Sequence, residues 1–165
     1  MEKQIFSKID IIMALSETLD LISPIVRGHH LRVGLMTYNI GKALSLKEND
    51  LRMLVYASLI HDVGALSIDD RISTFKFDLS NEDNHAYIGY ELLSVNGTFE
   101  DIGSIIKNHH KKYSTGNETT FDFLSQIIHG TDRIDVLVKK FNVKDDYLDE
   151  FIKNICNREM IKGKF

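Results

Sequence analysis

The chain has 165 residues, 43% of them hydrophobic, which is enough for one domain with a sizeable core. Its formal charge of -4 excludes the basic surface that a nucleic-acid binder normally presents, so no long nucleic acid is expected as a partner. The single cysteine, Cys156, excludes an internal disulfide and reads as a small buried hydrophobe; with no apolar run near the roughly 18 residues of a membrane span and no signal-peptide pattern, a cytoplasmic protein without a membrane partner is expected.

The chain reads as helices throughout. Ile5, Ile9, Ile12 and Leu19 keep helical spacing, and Pro24 marks the end of that lead-in segment. A second helix is predicted over 29–44, with Val33, Met36 and Ile40 on one face. Ser45 and Glu48 have the spacing of a capping box before the apolar run Leu51, Leu54, Val55, Leu59, and Gly64 reads as the stop of that helix. The stretch 65–79 is irregular. Ser80 and Asp83 open the next predicted helix, which carries His85, Ile88, Leu92 and Leu93 to Asn96-Gly97. A helix over 99–110 turns Ile102, Ile105 and Ile106 inward, a polar loop follows over 111–119, and helical spacing resumes over 120–141 and again over 145–157. The expectation is an all-α, compact bundle of about seven helices. It forms one domain over 1–165, with a lead-in helix in 1–24, a core in 25–141 and a C-terminal helix in 142–165. Residues 162–165 lack a helix ending or a polar tail, as expected of a piece of a longer protein.

The chemistry lies in a series of metal-ligating residue types spaced about one helix and a loop apart: His29, His61-Asp62, His85, His109-His110 and Asp132. Imidazole is the commonest protein ligand for metals, and a carboxylate can bridge two cations. Five imidazoles and two carboxylates exceed the four ligands of a tetrahedral site and suit two adjacent metals with positions open for water and substrate. His61-Asp62 and His109-His110 each end an apolar helix, and Asp132 lies inside another, where ionisable groups without partners are costly. Adjacent residues on a continuous helix diverge by about 100 degrees, so a doublet serves one cluster if its helix frays at the C-terminus.

With these residues in order, the chain resembles the HD superfamily of metal-dependent phosphohydrolases, and within it the HD-GYP branch of cyclic di-GMP phosphodiesterases. His29 with Arg32 matches the family's first histidine and following arginine. His61-Asp62-Val63-Gly64 matches the name-giving motif, and His85 with Ile88-Gly89 and Glu91-Leu92-Leu93 the third histidine helix. His109-His110 matches the double histidine, and Ile127-Ile128 through Asp132 the last ligand helix. The resemblance implies an HD-type bundle and two divalent metals: iron or manganese, with zinc compatible with the ligand set. His29, His61, Asp62 and Asp132 would hold one, and Asp62 would bridge to the second, held by His85, His109 and His110. Ile25 stands where some relatives carry a glutamate for a third metal. Asp62 and His61 are the implied catalytic residues, acting with a water activated by the two metals on a cyclic dinucleotide or related phosphodiester. A sensory or receiver domain, or a signalling protein, is the implied partner. His30 has no role in the family pattern, and His129 reads as a supporting or structural residue.

The chain departs from the pattern after the double histidine, where Lys111-Lys112-Tyr113-Ser114-Thr115-Gly116-Asn117 replaces the run that contains Gly-Tyr-Pro. Ala65 replaces a lysine, and Lys139-Lys140-Phe141 stands in an arginine-rich stretch. Lys111, Lys112, Tyr113 and Arg32 are the candidate substrate contacts that remain. Two alternatives stay open: a catalytically degenerate module that binds metal, nucleotide or a protein, and a simpler HD nucleotide phosphohydrolase, which leaves His85, His109 and His110 unexplained.

Overall fold

The computed structural model describes residues 6–21, 24, 27–67, 69, 83–111, 119–144 and 150. Among them are six helices and no strand: α1 Lys8–Leu21, α2 His29–Ala43, α3 Glu48–Leu59, α4 Asp83–Ser94, α5 Glu100–Lys107 and α6 Thr120–Lys140. The all-α expectation holds. The helix expected over 145–157, Ser80, Lys112, Tyr113 and Cys156 lie outside the described residues.

Local chemistry accounts for the helix ends. The Asp10 N–H donates to Ser7 Oγ at 3.3 Å and Asp10 Oδ2 accepts the Ser7 N–H at 2.8 Å, a reciprocal cap that starts α1. Thr119 and Asp122 build the same device at the start of α6. The box expected from Ser45 and Glu48 does not form: α3 begins after Lys47 without a side-chain cap, and Ser45 takes a left-handed φ of 55° in the turn after α2. Glu48 and Asp50 instead lie in the first turn of α3, where negative charge suits the helix dipole.

The core runs through all six helices. Ile12 and Leu19 of α1, Leu54, Ala57 and Leu59 of α3 and Ile60 after it, Leu93 of α4, Ile102, Ile105 and Ile106 of α5, and Leu124 and Ile128 of α6 form one buried cluster. Each such aliphatic side chain contributes about 1.5–3 kcal/mol on burial. α2 lies close against α3: a Cβ on Gly34 would stand 2.9 Å from Leu59 Cδ2, and Thr37 Oγ1 bonds Ser58 Oγ at 2.9 Å in the seam. α4 packs on α5, and α6 closes the bundle against α2, α3 and α5. Among the described residues no helix is long and apolar enough to cross a membrane.

Candidate metal centre

Every residue of the metal-ligating series reaches one buried cluster, each delivered by a different piece of the bundle. His29 is the first residue of α2, His61 and Asp62 occupy the turn after α3, and His85 sits in the first turn of α4. His109 and His110 occupy the turn after α5, and Asp132 lies in α6. Both doublets therefore lie beyond the ends of their helices, which frees adjacent side chains to face the same centre.

Gly64 has a different task from the helix stop expected of it. α3 ends at Leu59, and Gly64 lies where the turn after it presses on α4. A Cβ there would stand 2.0 Å from the His85 carbonyl oxygen and 2.4 Å from the Gly89 nitrogen. The missing side chain thus lets the His61-Asp62 turn lie on the backbone that carries His85. Gly28, with φ of 70°, makes the left-handed turn into α2 that brings His29 inward.

The donor atoms fall into two groups that share Asp62. In the first, His29 Nε2 lies 3.2 Å from Asp132 Oδ1, 3.4 Å from His61 Nε2 and 4.0 Å from Asp62 Oδ2. His61 Nε2 lies 3.4 Å from Asp62 Oδ2 and 3.6 Å from Asp132 Oδ1. In the second group, Asp62 Oδ1 stands 3.3 Å from His85 Nε2 and 4.0 Å from His109 Nε2, and His85 Nε2 and His110 Nε2 are 3.0 Å apart. Two donors on one ion at bonds of about 2.1 Å stand about 3.0–4.2 Å apart. Both groups have that spacing and fit a cation each.

The ring orientations fit as well. His61 Nδ1 donates to the Ser58 carbonyl at 2.9 Å and His109 Nδ1 to the Ile106 carbonyl at 2.6 Å, so Nε2 is the nitrogen turned to the centre. His109 Nε2 is buried with no hydrogen bond among the described residues, a cost of about 1–3 kcal/mol that a bound cation would remove. His29 Nδ1 donates to Asp135 Oδ2 at 2.8 Å, and Arg32 grips the same carboxylate through Nε at 2.6 Å and Nη2 at 2.8 Å.

Charge in the centre is strongly redistributed. Burial alone lowers the His29 pKa, but the carboxylates of Asp132, Asp135 and Asp62 overcome it and raise it to about 10. His61 is likewise buried yet raised by Asp62 and Asp132. Burial favours protonating Asp62 and Asp132, and the histidines around them hold both carboxyls well below the usual range. On the other side, burial and neighbouring imidazoles hold His109 well below its ordinary value, and burial and His85 bring His110 to about 3. These two rings are neutral and ready to ligate.

The remaining residues surround the cluster. Arg32, expected to meet substrate, commits Nε and Nη2 to Asp135 and Nη1 to the Arg27 carbonyl at 3.0 Å. Lys111 Nζ is 3.9 Å from Asp122 Oδ1, and its carbonyl accepts from Gln126 at 2.7 Å. Asp122 Oδ1 also accepts from Asn108 at 3.0 Å, while Oδ2 serves the Thr119 cap. His129, buried one turn before Asp132, accepts from Arg133 Nε at 2.9 Å, and its ring centroid is 6.1 Å from that of His110. Sequence reasoning passed over Asp135 and Asp20. Asp135 had a signal, being three residues after Asp132 on the same helical face; Asp20 had none near its partner, His30.

Two curated proteins are similar. One is the cyclic di-GMP phosphodiesterase response regulator RpfG of Xanthomonas campestris pv. campestris, 31% identical over 81 residues, which are 45% of this chain and 21% of that protein. The other is the 3'3'-cGAMP-specific phosphodiesterase 3 of Vibrio cholerae, 27% identical over 138 residues, which are 77% of this chain and 30% of that protein. The chain thus spans less than a third of the length of either. No solved structure matches it. Residues 26–152, which contain all five histidines and both aspartates of the series, match the model of the family described as HD domain, and the chain belongs to that family.

Proposed function

We propose that the chain is a metal-dependent phosphohydrolase, and more narrowly a phosphodiesterase of HD-GYP type acting on a cyclic dinucleotide or related phosphodiester. The observation that carries this reading is Asp62, whose two oxygens face separate histidine groups. His29, His61, Asp62 and Asp132 would hold one cation, and Asp62, His85, His109 and His110 the other. Iron or manganese suits the mixed imidazole and carboxylate set, and zinc is compatible with it. When bound, two such cations supply an activated water and neutralise charge on the phosphoryl oxygens. The chain's own part is to hold the donors in register: Ser58, Ile106 and Asp135 fix three rings, and Arg32 fixes Asp135. Similarity to phosphodiesterases for cyclic di-GMP and for 3'3'-cGAMP supports a cyclic dinucleotide substrate. Lys111, with its Nζ exposed beside the His109-His110 turn, is the described candidate for a phosphate contact, and Lys112 and Tyr113 are candidates outside the described residues.

A second reading, a module that binds metal without turnover, is favoured by Ala65. It is fully buried where the family usually has a lysine, so it offers a phosphate no cation. The deciding experiment is elemental analysis of protein purified without added metal, alongside anaerobic hydrolysis assays with cyclic di-GMP and 3'3'-cGAMP. About two metals per chain with turnover is the expected result. Two metals with no hydrolysis of these or of bis(p-nitrophenyl) phosphate would leave the binding module standing, and no metal would overturn both readings.

A further inference from the structure

His30 has no place in the two ligand groups above, yet it is built like a member of them. It is 2% exposed, and its ring centroid lies 5.1 Å from those of both His29 and His61. Its Nδ1 donates to Asp20 Oδ1 at 2.7 Å, and the same oxygen lies 3.5 Å from its backbone nitrogen. A carboxylate accepts but cannot donate, so this contact leaves Nε2 as the nitrogen with a lone pair. That atom is buried, has no hydrogen bond among the described residues, and lies 3.8 Å from Asp62 Oδ2. The distance is too long for a hydrogen bond but falls within the spread of two donors on one ion. His29 in the first group has the same construction, with Nδ1 held by the carboxylate of Asp135 and Nε2 turned inward.

We propose that His30 is a further ligand of the first metal position, and that Asp20 is the carboxylate that aims it. This rests on the metal-dependent reading above. The position then draws five donors from the chain, from His29, His30, His61, Asp62 and Asp132. A tetrahedral ion has no room for five, whereas an octahedral ion accepts them and keeps one place for water or substrate. The first position therefore selects a cation that takes six ligands. Asp20 belongs to α1 and precedes the stretch that matches the family model, so the lead-in helix contributes directly to the metal's surroundings.

The test uses the full chain stripped with chelator and titrated with manganese(II) alone. Affinity is read by competition with a chelating indicator, and the count of bound imidazoles by X-ray absorption at the metal edge. In His30→Gln, weaker binding of one of two manganese ions by at least about 10-fold, with one imidazole fewer per chain, is expected. Asp20→Asn keeps size and some hydrogen bonding and serves if the first variant fails to fold; a loss of about 10–100-fold at the same ion is expected. Two manganese ions bound by these variants with wild-type affinity and imidazole count would overturn the assignment and leave the hydrolase reading intact. Wild-type protein that binds no manganese, iron or zinc would overturn both.

Discussion

Asp62 Oδ1 lies 3.3 Å from His85 Nε2, which ties the turn after α3 to the first turn of α4 through one carboxylate. Its other oxygen faces His61. Loss of this side chain should therefore damage both halves of the centre. Asp62→Ala is expected to drop bound metal from about two per chain to less than one and to cut hydrolysis of bis(p-nitrophenyl) phosphate by about three orders of magnitude. Elemental analysis and a steady-state assay check this; full metal content with full turnover would sink the two-cation reading.

Asp135 touches the centre only through His29, so its removal separates aiming from ligation. Asp135→Asn should weaken the first metal by about 10–100-fold and leave the second nearly unchanged. Arg32→Lys, which loses the two-point grip on Asp135, should act in the same direction more weakly. Chelator competition distinguishes the two ions. Equal weakening of both would show that Asp135 supports the bundle rather than one ring.

The raised His29 pKa makes metal and proton competitors. In chelated protein the proton on His29 stabilises the fold. That contribution is fully present below the ordinary value of 6.5 and is lost as pH rises through about 10. Between about pH 7 and 9, binding of the first metal must expel that proton, so affinity should climb with pH. Calorimetric titration in buffers of different ionisation enthalpy should reveal net proton release. Zero release across that range would show that His29 is already neutral.

Gly64→Ala inserts a methyl group against backbone atoms that cannot rotate away. The expected cost is at least about 1–3 kcal/mol, read by chemical denaturation, with weakened metal binding as the turn shifts from α4. Gly97→Ala is the control: its φ of 72° strains an alanine, but nothing lies within 4 Å of the added Cβ. It should cost about 1 kcal/mol and leave metal binding unchanged. Similar metal loss in both would remove Gly64 from the account.

The helices were legible because each carries an apolar face of period 3.6, and the ligand series because its residue types recur at helix ends. The ends themselves were less legible. Ser45 and Glu48 have capping-box spacing, but the turn after α2 puts Ser45 in a left-handed conformation, so its side chain does not cap α3. Gly64 looked like a stop because spacing along a chain does not reveal a neighbour such as Gly89 pressing from another helix. Asp135 could have been found one turn after Asp132. The pairing of His30 with Asp20 could not, because the ten residues between them include Pro24 and the entry into α2, and no local period links the two.

Asp122 divides its labour. One oxygen caps α6 with Thr119, and the other holds Asn108, directly before the histidine doublet. The two anchor points flank the segment 112–118, where this chain diverges from the Gly-Tyr-Pro pattern. A single side chain thus clasps the ends on which that segment is mounted, like a buckle on a strap. Its composition can drift, and with it the choice of ligand, while the clasp keeps the doublet in register. Selectivity and metal retention are in this way made separately heritable.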